Sequence, residues 1–81
     1  MVLGIMGILL KDRRAQAPEV QEVLTKYGDI ILSRHGVHDA AESKGLITLT
    51  IEAAGEEFDA LVAELEDVSE VCVSTAMFPN R

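Results

Sequence analysis

Two histidines and one cysteine are the side chains of this chain best suited to bind a transition metal. His35 and His38 are three residues apart, and Cys72 lies far from them in the sequence. At the end of a strand, this spacing could present both imidazoles to one ion, with a thiolate as a further ligand. We favour the alternative of two loop histidines and a small buried thiol. We therefore expect neither a metal nor another cofactor.

Four consecutive charged residues, Lys11, Asp12, Arg13 and Arg14, form the next candidate site. They follow an apolar segment and precede a predicted helix. Arginine side chains and helix N–H groups could there hold a carboxylate or a phosphate together. A short stretch separates this run from the helix start expected at Pro18, and charged runs are usually solvated. A solvated turn is therefore the favoured interpretation.

A further cation, Arg34, lies in a predicted strand that is otherwise apolar. It could reach across an oligomer interface, pair with Asp12 or Asp29, or point to water. The residue types alone leave these alternatives open.

Catalytic residues are not expected. No serine lies in the strained Gly-Xaa-Ser-Xaa-Gly turn of a nucleophile elbow. Gly4 and Gly7 lie inside an apolar segment and lack the third glycine of a phosphate-binding loop. The carboxylates of the second half are typical of a solvated helix face. The sequence therefore favours a protein that is not an enzyme.

Length and charge limit the classes of partner. The chain has 81 residues and a net charge of −7, and we expect one domain over residues 1–81. Residues 41–81 carry two basic and nine acidic side chains, which disfavours direct binding to nucleic acid. The apolar run at the start is too short to span a membrane, and we interpret it as a buried strand rather than a signal peptide. A single cysteine fits a cytoplasmic location.

Six patterned segments position these residues, in the order strand, helix, strand, strand, helix, strand. They cover Val2–Leu10, a helix from Pro18 to Tyr27 with Gly28 as its left-handed C-cap, Asp29–Gly36, Gly45–Ala53, a helix after Gly55, and Val71–Met77. Residues 37–44 between two strands are expected to form a mobile hairpin loop. This order predicts a ferredoxin-like α+β fold, a four-stranded antiparallel sheet with two helices on one face.

The first strand is apolar at every position, which is typical of a strand covered on both faces. The helices of a ferredoxin-like unit cover one sheet face only. The second apolar face therefore needs another cover, and a second subunit is the simplest candidate.

Several stretches resemble a small family described as regulators of the iron-only hydrogenase system, with an ACT-like, ferredoxin-like fold. They are Gly7-Ile8-Leu9-Leu10-Lys11-Asp12-Arg13, Pro18-Glu19-Val20, and Tyr27-Gly28-Asp29-Ile30-Ile31 with Arg34 and Gly36. The resemblance covers residues 4 to 77. His35 departs from the aliphatic or methionine residue expected there, and residues 37–44 are more acidic and richer in alanine than in typical members.

The resemblance implies a regulatory or ligand-sensing domain that works as a homodimer or higher homo-oligomer. ACT-like domains bind small effectors at interfaces, and the matching positions here are Asp12, Arg13, Arg34 and Gly36. Regulation of transcription or of the hydrogenase system would be the expected role. Two alternatives remain: an interaction module without an effector, and a metal-sensing domain using His35 and His38, because nickel-responsive repressors also contain an ACT-like domain.

Overall fold

A computed structural model describes residues 1–39 and 43–78 of the chain, and its elements follow the predicted order. They are β1 (Val2–Leu10), α1 (Arg13–Lys26), a short 3₁₀ turn (Gly28–Ile30), β2 (Ile31–His38), β3 (Gly45–Ala53), α2 (Gly55–Glu66) and β4 (Val71–Phe78). In this part of the chain, no helix is both long enough and apolar enough to cross a bilayer.

The four strands form one antiparallel sheet in the order β2-β3-β1-β4. This is the ferredoxin-like α+β fold that the pattern predicts, with β2 and β4 at opposite edges. Along the central pair, Met6 lies opposite Leu49 and Ile8 opposite Ile47. Alternate side chains of a strand point to opposite faces, so these pairs place one apolar row of β1 and one of β3 on the same side of the sheet.

The hydrophobic core lies between this side of the sheet and the two helices. Apolar side chains of the two helices supply its other half, with Val20 and Leu24 from α1 and Phe58, Leu61 and Leu65 from α2. The fully buried side chains are mostly aliphatic, and Phe58 is the largest of them. The phenyl ring lies against Gly4 of β1, where a Cβ would be only 2.6 Å from a ring carbon.

Helix α1 begins at Arg13, so the predicted start at Pro18 is wrong. The side chain of Gln16 explains the earlier start, because its oxygen accepts the backbone N–H of Asp12 at 2.9 Å. Its amide nitrogen donates to the carbonyl of Ser69 at 2.5 Å, which ties the helix start to the turn before β4. Among the described residues, Gln16 is the polar side chain that is buried.

Two further predictions at the ends of elements are wrong. Gly28 does not have a positive φ; it begins the 3₁₀ turn instead of capping α1 in the left-handed conformation. Strand β2 continues through Val37 and His38, which pair with Leu46 and Gly45, so the expected loop starts later. Its residues 40–42 lie outside the described part of the chain.

The carboxylate of Asp39 organises the described part of that loop. Its oxygens accept the backbone N–H and hydroxyl of Ser43 and the N–H of Lys44. These bonds hold the pKa of the Asp39 carboxyl below its ordinary value, the Lys44 N–H being the largest cause. The Ser43 carbonyl accepts the N–H of Arg13 at 2.9 Å, so the hairpin is fastened to the start of α1.

Candidate functional site

A cavity of about 220 Å³ lies between α1 and β2, on the side of the sheet that the helices cover. We call it the α1–β2 cavity. Its apolar lining comes from Leu10, Ala17 and Ile47. The remaining lining residues are Arg13, Gln21, Gly36, Val37, His38 and Gly45. An apolar floor with a few polar groups at the rim is typical of a small-molecule site.

Arg13 is half-buried at the edge of this cavity, at the first position of α1. Its side-chain carbons lie 3.4 and 3.5 Å from the position that a Cβ on Gly45 would take. The glycine therefore leaves the space that the arginine stem occupies. The guanidinium is held beside the cavity by packing on β3 and by the early start of α1.

Alternation along β2 places Arg34, Gly36 and His38 on the same side as the core, opposite Leu49, Ile47 and Gly45 of β3. The Arg34 guanidinium donates a hydrogen bond to the side-chain oxygen of Gln21. Of the alternatives open for Arg34, pairing with Asp12 or Asp29 is therefore not what the structure shows. Gly36 has open space where a Cβ would be.

Three of the four residues singled out by the resemblance thus surround one cavity. Arg13 and Gly36 line it, and Arg34 reaches it through Gln21. Asp12 does not join them. It lines a separate depression with Gln16, Ser69 and Glu70 at the other side of the helix start.

Gln21 was missed because the helix was expected to start at Pro18, which left Arg13 outside it. Once α1 begins at Arg13, residues 13, 17 and 21 are spaced at i, i+4 and i+8 and share one helix face. The signal in the sequence was this spacing between a basic, a small and an amide side chain.

The two histidines lie on opposite faces of the sheet, because three residues along an extended strand reverse the side-chain direction. His35 is opposite Thr48, and His38 is opposite Gly45. Cys72 lies on β4, at the other edge of the sheet, and its thiol is exposed. The expected buried thiol is therefore wrong, and the expected loop histidines lie in strand β2 instead. Within residues 1–39 and 43–78, no three histidine, cysteine or carboxylate side chains come together as a metal site.

A larger recess of about 370 Å³ lies between the two helices, and we call it the α1–α2 groove. Four carboxylates line it, with Lys26 as the basic residue. The Lys26 ammonium is 3.0 Å from a carboxylate oxygen of Glu64, and the Tyr27 hydroxyl donates to the same carboxylate. The hydrogen bonds from Tyr27 and then Lys26 hold the pKa of Glu64 below its ordinary value.

The other side of the sheet carries no helix, and we call it the open face. By strand register it comprises Leu3, Ile5, Gly7 and Leu9 of β1, Ser33, His35 and Val37 of β2, Leu46, Thr48, Thr50 and Glu52 of β3, and Cys72, Ser74, Ala76 and Phe78 of β4. Leu3 is half-buried, and the other large apolar side chains of this face are exposed, from 38% for Leu9 to 54% for Phe78. Glu52 is the one carboxylate in this set, and lysine and arginine are absent from it.

Comparison with known protein families identifies the family of this chain. The family model "TM1266-like: Iron-only hydrogenase system regulator, putative" matches residues 2–75. The chain belongs to this family. No curated protein sequence matches it. Among solved structures, the uncharacterized protein TM1266 from Thermotoga maritima is similar to the chain at a TM-score of 0.87 and 28% identity, over 94% of this chain and 95% of that one.

More distant structures share the fold alone. A formyltetrahydrofolate deformylase from Burkholderia mallei aligns with a TM-score of 0.67 at 14% identity, covering 90% of this chain but 27% of the enzyme. The de novo designed protein Foldit4 aligns over 99% of this chain and 98% of its own length, with a TM-score of 0.58 and 13% identity. Such similarity to an enzyme segment and to a designed protein carries no activity with it.

Proposed function

We propose that this member of the iron-only hydrogenase system regulator family is a non-catalytic regulatory domain that acts as a homodimer and responds to a small effector. Family membership over residues 2–75 supports the regulatory role. The α1–β2 cavity supports the effector, and the open face supports the dimer. The open face is the observation on which the proposal depends most.

An apolar, almost uncharged sheet face is unusual on a chain in which a quarter of the residues are charged. Ile5, Leu9, Leu46, Val37 and Phe78 each leave more than a third of their surface in water. They lie toward the two ends of the face, on either side of the row formed by His35, Thr48, Gly7 and Ser74. Exposed apolar groups of this kind mark interaction sites on soluble proteins. Covering them removes apolar surface from water, which is the main favourable contribution to association.

The size of the open face fits a small but specific interface. Four strands about 4.8 Å apart and about eight residues long, at about 3.3 Å per residue, cover about 500 Å². Two such faces in full contact bury about 1,000 Å² in total, polar residues included, which reaches the lower limit for a specific association.

A second copy of the chain fits this face because neither copy brings repelling charge to it. The acidic excess that gives the net charge of −7 lies in residues 41–81, and five of its carboxylates lie on α2, which carries no basic residue: Glu56, Glu57, Asp59, Glu64 and Glu66. Two chains in sheet-to-sheet contact place these acidic helix layers outside, on opposite sides of the dimer. A two-fold arrangement also pairs each apolar patch with an identical one.

Size-exclusion chromatography with light scattering tests the dimer. We expect the wild-type chain to be a dimer at micromolar concentration and Ile5→Lys, at the centre of the open face, to be a monomer. Ala60→Lys is the matched control, because it adds the same charge at an exposed position of α2, and should remain a dimer. A wild-type monomer, or a dimer that tolerates Ile5→Lys, would contradict the proposal.

The alternative of an interaction module without an effector is separated by two further measurements. Native mass spectrometry with amino acids, nucleotides and divalent metals should show an adduct if the domain senses a ligand. A stoichiometric partner from a lysate of the native host, captured by the wild type and lost with Ile5→Lys, would instead assign the open face to another protein.

A further inference from the structure

We infer that the α1–β2 cavity binds a small organic anion, a carboxylate on a short aliphatic chain. This inference rests on the proposed function, in which the cavity holds the effector, and names the chemical class of that effector. It depends on the charge, the lining and the size of the cavity.

The charge around this cavity opposes that of the chain as a whole. The net charge is −7, yet the lining residues include the guanidinium of Arg13 and no carboxylate. Arg34 adds a second guanidinium, bonded to the lining residue Gln21. The α1–α2 groove, by contrast, is lined by Glu19, Glu22, Glu64 and Asp67. An anion is therefore attracted to one recess and repelled by the other.

The state of Arg13 points in the same direction. Its side chain is half-buried. Among residues 1–39 and 43–78, no ion pair of Arg13 with a carboxylate is found. A partly desolvated guanidinium gains most from a carboxylate or phosphate, because its planar fork can donate two parallel hydrogen bonds to either. The Gln21 side chain, four residues from Ala17 on the same helix face, offers an amide beside it.

The apolar part of the lining favours a carboxylate on an aliphatic chain over phosphate. Leu10 and Ile47 close the floor and are themselves almost fully buried, with exposures of 1% and 9%. The surface that the cavity leaves open is more apolar than polar, and a methylene or methyl group gains free energy by covering it, whereas a fully hydrated inorganic phosphate does not. The glycine-rich loop that surrounds a phosphate with backbone N–H groups is also missing from the sequence around Arg13.

The volume of the cavity limits the size of the anion. At about 220 Å³, it lies below the range of about 300–1,000 Å³ that is typical for drug-sized ligands. Gly36 keeps even this space available, since nothing lies within 4 Å of the position of a Cβ there. A larger side chain at residue 36 would fill the cavity without a clash.

A titration followed by NMR tests the inference, with isovalerate as the probe and its uncharged amide, isovaleramide, as the matched comparison. In the wild-type dimer we expect isovalerate to shift the amide resonances of Gly36 and Gly45 and to bind at least about tenfold more tightly than the amide, as a charge-assisted hydrogen bond implies. Arg13→Gln should abolish this preference. Arg14→Gln, which removes the neighbouring exposed guanidinium outside the cavity, should keep it.

Gly36→Leu provides a variant that should fold and still fail to bind. It fills open space on an edge strand, so the thermal midpoint should not fall, while the isovalerate shifts should disappear. Equal affinity for acid and amide, shifts located elsewhere, tighter binding of inorganic phosphate, or no binding of aliphatic carboxylates at millimolar concentration would each overturn the inference. An uncharged effector bound in the same cavity would overturn it while leaving the proposed function intact, whereas loss of the dimer would count against the proposed function alone.

Discussion

The two faces of the sheet carry similar apolar side chains and differ in what covers them. On β1, Met6 and Ile8 are fully buried under the helices, whereas Ile5 and Leu9 are 43% and 38% exposed on the open face. The uniformly apolar sequence of β1 is therefore explained by its own chain on one face only. The difference shows that packing within the chain does not account for the apolar residues of β1 on the open face.

The largest effect should come from removing one leucine from each face of β3. Leu49→Ala truncates a fully buried side chain and should lower the free energy of unfolding by about 2–5 kcal/mol, because the core cannot collapse fully around the cavity. Leu46→Ala truncates a side chain that is 43% exposed and should cost less than about 1 kcal/mol in the monomer. Urea denaturation at several protein concentrations measures both.

The concentration dependence distinguishes the faces further. A loss for Leu46→Ala that grows with protein concentration is expected if the open face lies in a dimer, since association stabilises the folded state by mass action. Equal, concentration-independent losses for the two variants would mean that both faces are covered by the chain itself, and the contrast between them would disappear.

The two glycines of β1 give a smaller effect of the same kind. A Cβ on Gly4 would lie 2.6 Å from a ring carbon of Phe58 and 3.2 Å from the Ala76 carbonyl oxygen, whereas on Gly7 it would meet only the Ser74 carbonyl at 3.9 Å. Gly4→Ala should therefore cost about 1–3 kcal/mol through overpacking. Gly7→Ala should be neutral or stabilising by up to about 1 kcal/mol, because it restricts the unfolded chain.

Thermal and urea unfolding of both alanine variants check this prediction. A harmless Gly4→Ala would show that the Phe58 ring moves aside easily and that the covered face is less tightly packed than the structure indicates. A Gly7→Ala variant that remains folded but is monomeric would instead place close backbone contact between two open faces at this residue.

The spacing of apolar residues was sufficient to locate the elements whose ends depend on local sequence alone. β1, β3 and α2 follow the bounds expected from the apolar spacing, and the family resemblance agrees with the fold. The start of α1 could not be found in the same way. It depends on Gln16, whose amide bonds to Ser69, 53 residues further along the chain, and local propensity does not contain such a contact.

The candidate site was predicted in part for the same reason. Arg13, Arg34 and Gly36 came from the resemblance, and the fold brings them to one cavity. Gln21 and the glycine at position 45 depend on the start of α1 and on packing between elements. His35 and His38 lie on opposite faces because β2 extends to His38, whereas the loop expected from residue 37 onwards placed no such constraint on His38.

The smallest expected effect concerns the outer surface of the helix layer that covers the core. Tyr27 and Lys26 at the end of α1 bond to Glu64 of α2, and these bonds hold the pKa of the Glu64 carboxyl below its ordinary value of 4.5. A carboxyl whose pKa is lower in the folded state stabilises the fold above its unfolded pKa. That contribution is lost as the pH falls through the folded value.

Glu64→Gln should therefore be less stable than the wild type near neutral pH, and the difference should shrink as the pH falls below about 4.5. The matched control is Glu66→Gln, which makes the same substitution at an exposed position of the same helix and should lower the stability near neutral pH less than Glu64→Gln does. Since all three groups of the contact are solvent-accessible, salt should also reduce the Glu64 effect by screening. A stability difference of the same size at low pH would mean that Glu64 stabilises the helix layer by packing. The ion pair would then not contribute to the stability of the covered face.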